Sequence, residues 1–77
     1  MAATHAVLNV PSVSCSHCKM AIEGAVAALA GVDGVVVDVA EKTVTVDFEA
    51  DSVALEAIEQ KVADEGYAVA GHHVFGA

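Results

Sequence analysis

The chain has 77 residues, with eleven acids against three lysines and a formal net charge of −8, a length that makes one domain. No basic patch exists, which excludes a nucleic-acid binder and makes an anionic membrane surface repulsive. The hydrophobic share is 56% with only 4% aromatic, so the core is built from Val, Ala, Leu and Ile, and no stretch approaches the ~20 apolar residues of a membrane span.

Thr4 to Val10 reads as a first strand, with Ala6, Leu8 and Val10 on one side and His5, Val7 and Asn9 on the other. Pro11 ends it by removing an amide donor, and Ser12 to Ser14 form a loop. A helix is predicted from about Ser16 to Ala30, where Ile22, Ala25, Val26 and Leu29 recur at helical spacing. Ser14 or Ser16 can cap it, and Gly31 stops it. Gly24 sits mid-helix at some cost; either it allows a close approach to the sheet or it is simply tolerated.

Val35 to Val39 is the second strand and Thr43 to Phe48 the third, the latter alternating Val44, Val46 and Phe48 against Thr43, Thr45 and Asp47. Ala40-Glu41-Lys42 joins them as a hairpin. Asp51 or Ser52 is expected to cap a second helix with the stripe Leu55, Ile58 and Val62, ended by Gly66. Tyr67 to Ala70 is expected to start the last strand, which fades into residues 71–77. One domain over 1–77 is therefore expected, with a core over about 4–70 and a C-terminal tail at 71–77.

The order β-α-β-β-α-β points to an α+β, ferredoxin-like architecture: two helices on one face of a four-stranded antiparallel sheet. Right-handed crossovers then put the cysteine loop, the turn between the second and third strands and the Gly66-Tyr67 turn at one pole. Both chain ends fall at the other.

Both cysteines lie in Cys15-Ser16-His17-Cys18, between the first strand and the first helix. A C-x-x-C bridge closes only a tiny loop and is a poor staple, so the thiols are read as chemistry. A helix N-terminus favours negative charge, which lowers thiol pKa values and supplies thiolates. Lys19 and Lys42 add positive potential there if they point that way. Two soft sulfurs suit Cu(I) in low coordination, whereas structural Zn²⁺ takes four protein ligands. His17 is either a third donor or an exposed residue of the first turn. Met20 reads as an adaptable packing residue rather than a sulfur ligand. Tyr67 is either a cover over the thiols or a plain strand-start aromatic. His5, His72 and His73 are far from the cysteines, and either gather as a second imidazole site at the opposite pole or lie along a solvated tail.

The run Val10-Pro11-Ser12-Val13-Ser14-Cys15-Ser16-His17-Cys18 resembles the loop of heavy-metal-associated domains, whose usual pattern is G-M-[TS]-C-x-x-C. The resemblance continues through Ile22, Val26, Leu29, Gly31-Val32, Val35, Val37, Val39, Val44 and Val46 to Gly66-Tyr67, covering roughly residues 5–70. Within that family it is similar to the small bacterial copper chaperones of the CopZ type. This implies a non-enzymatic carrier that holds Cu(I) on Cys15 and Cys18, with Tyr67 packed over the thiolates. It also implies ligand-exchange transfer to a partner such as a P-type copper ATPase domain or a copper-responsive repressor. Ser12 and Val13 depart from the pattern's Gly and Met; Ser12 stiffens the loop and Val13 replaces an inward-packing tether.

Two other functions share the thiol pair. One is a Zn²⁺, Cd²⁺ or Hg²⁺ module for detoxification or sensing. The other is a thiol–disulfide oxidoreductase, against which the strand–helix order and the position of Pro11 speak. A soluble, cytoplasmic chain is expected, because Met1 to Val10 has no basic n-region for a signal peptide and reduced thiols persist in the cytoplasm. An apo monomer is expected, with metal-bridged dimers through four thiolates opposed by the −8 charge on each copy.

Overall fold

The computed structural model describes residues 4–75. Its elements are β1 (Thr4–Asn9), α1 (Ser16–Ala27), β2 (Val32–Asp38), β3 (Thr43–Phe48), α2 (Leu55–Asp64) and β4 (Gly71–Phe75). The strands form one antiparallel sheet in the order β2-β3-β1-β4, and both helices pack on one face. The α+β, ferredoxin-like expectation is met.

Period-two alternation sets the sheet's faces. Ala6 and Leu8 of β1 lie opposite Val46 and Val44 of β3, and all four are fully buried. Ile22 and Val26 of α1 and Ile58 and Val62 of α2 close over them, also fully buried. Each such side chain contributes about 1.5–3 kcal/mol by leaving water. The aliphatic core read from composition is the observed one, with Phe48 its only aromatic member among the buried residues.

Several boundaries differ from the expectation. Strand β2 begins at Val32 rather than Val35, with a register irregularity between Val32 and Gly34; Asp33 and Gly34 hid that start by breaking the apolar run. Helix α1 ends at Ala27 rather than Ala30, where Leu29 N–H donates to the Val26 carbonyl (3.0 Å) and tightens the last turn. The expected serine cap is absent, since Cys15 occupies the N-cap with no side-chain cap bond. Helix α2 likewise starts later than its expected cap: Ser52 and Val53 N–H groups both bond the Glu49 carbonyl in a turn, leaving Ala54 at the N-cap.

The last strand is also displaced. Residues 67–70 form no strand; β4 runs from Gly71 to Phe75 and is paired with β1, so residues 71–75 are sheet rather than tail. The cause is how α2 ends. Gly66 takes φ 96°, Gly66 N–H donates to the Ala63 carbonyl (2.9 Å) and Tyr67 N–H to the Val62 carbonyl (3.3 Å), the paired bonds of a Schellman ending. Tyr67 is thereby held by the helix, and sheet pairing waits until Ala70 N–H reaches the Asn9 carbonyl at 2.8 Å.

Two side chains tie helices to border strands. Glu23 of α1 accepts from Val37 N–H (3.0 Å) and from Lys19 Nζ (2.7 Å); Lys19 first, then the Val37 amide, hold its carboxyl below the usual range. Glu59 of α2 pairs with His72 of β4 at 2.8 Å.

Gly31 and Gly24 settle opposite cases. Gly31 has φ 95°, and a Cβ there would meet Ser52 Cβ at 2.7 Å; a Cβ on Gly24 would meet nothing within 4 Å. Gly24 is thus tolerated rather than required. Gly24→Ala is expected to raise unfolding free energy by about 0.5–1 kcal/mol, and Gly31→Ala to lower it by more than that, both read by urea denaturation.

Candidate metal centre

The cysteine loop is held open at one end and fixed at the other. Val10 and Val13 are fully buried, and Val13 N–H donates to the Val10 carbonyl at 3.1 Å. Val13 therefore performs the inward tethering expected of it. Ser14 to His17 are exposed. Cys15 has extended backbone (φ −154°), and its carbonyl accepts the first helical bond from Lys19 N–H at 3.2 Å. Because no side chain caps α1, the amides of its first turn remain directed at whatever negative charge sits there.

Cys15 is exposed and Cys18 half-buried, and both are free thiols. Their sulfurs are 3.4 Å apart. At metal–sulfur bonds of about 2.3 Å one ion spans sulfurs up to about 4.6 Å apart, so a small opening of the loop admits a soft ion between them. The Cys18 thiol is lowered from the ordinary 9.0 to about 6. The largest cause is the Tyr67 hydroxyl, which donates to it; the Ser14 N–H and the Cys15 thiol follow. The same bond pushes the Tyr67 hydroxyl up. Tyr67 packs against the core while its hydroxyl bonds the Cys18 sulfur.

The two lysines behave differently. Lys19 is engaged by Glu23 at 2.7 Å. Lys42, in the β2–β3 turn, sends Nζ to the Val13 carbonyl at 2.9 Å. Met20 is 67% exposed, so it does not pack in the core as expected; it faces outward from the first turns of α1.

Among the described residues, no three His, Cys, Asp or Glu side chains converge to hold an ion. His17 is exposed and is not gathered with the two sulfurs. Nor do the three distal histidines gather at one site. His5 lies opposite Phe75, not a histidine, while His73 lies opposite Val7 and His72 opposite Leu8, which puts His72 on the helix face and His5 and His73 on the open face. His5 Nδ1 bonds Asp47, and His73 stacks on Phe75 with ring centroids 4.5 Å apart. The residues missed in the sequence are backbone groups: nothing in a serine's identity marks the Ser14 N–H as a donor to sulfur.

The chain is thus a split β-α-β domain that carries a dithiol at the start of its first helix. The heavy-metal-associated domain model matches residues 7–68. The chain is 40% identical over 63 residues to a copper chaperone CopZ of Staphylococcus haemolyticus, covering 82% of this chain and 93% of that one. It is 41% identical over 63 residues to a copper chaperone CopZ of Bacillus subtilis, covering 82% and 91%. A solved CopZ metallochaperone superposes with a TM-score of 0.82 at 34% identity, covering 84% of this chain and 97% of that one. The chain belongs to the heavy-metal-associated domain family.

Cys18 titrates near 6 in the fold against an ordinary 9.0, so the folded state prefers the thiolate. That stabilisation is complete above about pH 9 and is lost as pH falls through about 6. Stability of the metal-free protein is therefore expected to rise with pH across that window, and Cys18→Ser to flatten the rise in urea titrations. Tyr67→Phe removes the largest cause and is expected to move the pH midpoint of Cys18 alkylation upward.

Proposed function

We propose that this protein is a Cu(I) carrier that holds its ion on the Cys15 and Cys18 thiolates and gives it up by ligand exchange. The observation that carries the reading is the sulfur pair itself: 3.4 Å apart, at an exposed tip, with Cys18 ionised near neutral pH. Thiolates select a soft monovalent ion, and two of them leave its coordination open to a third. The likeness to proteins named copper chaperone supports copper as the cargo. The tetrahedral set that structural Zn²⁺ takes has no counterpart among the described residues.

In transfer, an incoming thiolate of the partner joins the ion beside Cys15 and Cys18. The chain's sulfurs then leave one at a time, Tyr67 and the Ser14 N–H stabilising the Cys18 thiolate that is released. No bond of a substrate is made or broken, so the protein acts as a carrier and not as an enzyme. A partner with its own exposed dithiol fits this chemistry, as in a copper-transporting P-type ATPase domain or a copper-responsive repressor. Such a carrier needs its thiols reduced, so its proposed place of work is a reducing compartment, the cytoplasm. Among the described residues no helix is long and apolar enough to cross a membrane.

X-ray absorption of the Cu(I)-loaded protein is expected to count two sulfur neighbours from a monomer. Chelator competition is expected to show one tight Cu(I) per chain, lost in the Cys15→Ser, Cys18→Ser double variant. Retention of Cu(I) by that variant, or preference for Zn²⁺ over Cu(I) under reducing conditions, overturns the reading.

A further inference from the structure

The Val13–Ser14 peptide is engaged at both ends. Its carbonyl accepts from Lys42 Nζ at 2.9 Å, and its N–H is one of the donors that lower the Cys18 thiol. The C=O and N–H of a trans peptide lie in one plane and point opposite ways. Fixing the oxygen therefore aims the N–H. Val13 itself is anchored: its side chain is fully buried and its own N–H is bonded to the Val10 carbonyl.

Lys42 reaches this loop twice. Its backbone carbonyl accepts from Val10 N–H at 2.9 Å, and its ammonium meets Val13 three residues later. It does so from a left-handed backbone, φ 57°, a conformation more natural to Gly or Asn. Neither of those side chains could span to the Val13 carbonyl. Of the other two lysines, Lys19 is held by Glu23 and Lys61 lies on α2.

We propose that Lys42 is a positioning residue for the metal centre: its ammonium grips the Val13 carbonyl and turns the Ser14 N–H onto the Cys18 sulfur. A charged donor on the carbonyl also polarises the peptide and strengthens the N–H as a donor. Lys42 thus acts on the ligand through one peptide group without touching the ion. Its part in metal holding rests on the Cu(I) reading above, whereas its grip on the loop does not.

The test uses the full chain with Lys42→Met, Lys42→Arg and Lys42→Gly. In the metal-free protein, the Ser14 amide proton in ¹H–¹⁵N spectra is expected to shift upfield in Lys42→Met and Lys42→Gly and to hold its place in Lys42→Arg. Cu(I) affinity by chelator competition is expected to fall roughly tenfold in the first two and to recover in Lys42→Arg. Lys42→Gly relieves the left-handed backbone, so it is expected to melt no lower than wild type while showing the same loss. An unmoved Ser14 amide in Lys42→Met and Lys42→Gly overturns the proposal. So does an unchanged Cu(I) affinity in those variants, or a loss that follows melting temperature across all three. A wild-type protein that binds no Cu(I) overturns the carrier reading instead, and the metal-free amide shifts still decide the Lys42 contact.

Discussion

Negative charge on the Cys18 sulfur is the constraint around which one pole of this domain is arranged. Two separate stretches of chain supply its donors: Tyr67 from beyond α2, and the adjacent Ser14 amide and Cys15 thiol from the loop at the head of α1. None is near Cys18 by virtue of sequence alone except the last two. Tyr67 arrives because Gly66 takes a left-handed turn and the helix ending holds the next residue in place. The sheet order β2-β3-β1-β4 does the rest, since it brings the β2–β3 turn and the end of α2 to the same side as the end of β1.

That arrangement divides labour between rigid and yielding parts. Val10 and Val13 are locked in the core, and the next four residues are in solvent. An ion that must be both held and surrendered is served by ligands whose supports are fixed but whose own backbone is short and accessible. In the carrier proposed above, hydrogen bonds rather than additional ligands among the described residues attend the Cys18 sulfur, which leaves room for an exchanging partner.

Much of this was legible in the sequence, for physical reasons that differ by element. Strand β3 alternates strictly, and its observed bounds are those expected, Thr43–Phe48. The C-x-x-C spacing at a strand-to-helix junction located the thiols, and the left-handed Gly66 located the end of α2, whereas Gly31 lies beyond the observed end of α1. Less legible was anything decided by competition for backbone partners. Serines and Asp51 looked like caps, yet Cys15 and Ala54 hold those positions because neighbouring turns had already fixed the backbone. Tyr67 to Ala70 looked like a strand, yet the helix ending claimed its first residue. The histidines illustrate the limit most clearly: strand pairing alone suggested that His5 meets His72 or His73, but the observed register puts Phe75 opposite His5, with His73 on the same face opposite Val7 and His72 on the other face. The direction of Lys42, which depends on a long flexible side chain choosing one carbonyl, has no sequence signature at all.

The contact between Glu23 and the Val37 amide has a consequence for the molecule's colloidal behaviour. Strand β2 is a border of the sheet, and unpaired border amides are templates for intermolecular strand addition. A carboxylate sitting on one of them blocks that donor and places charge where a second chain would have to lie. Since the Lys19 ammonium and the Val37 amide hold the carboxyl below the usual range, the guard favours the charged form, and this stretch of β2 is a poorer template for a second strand than a bare border would be.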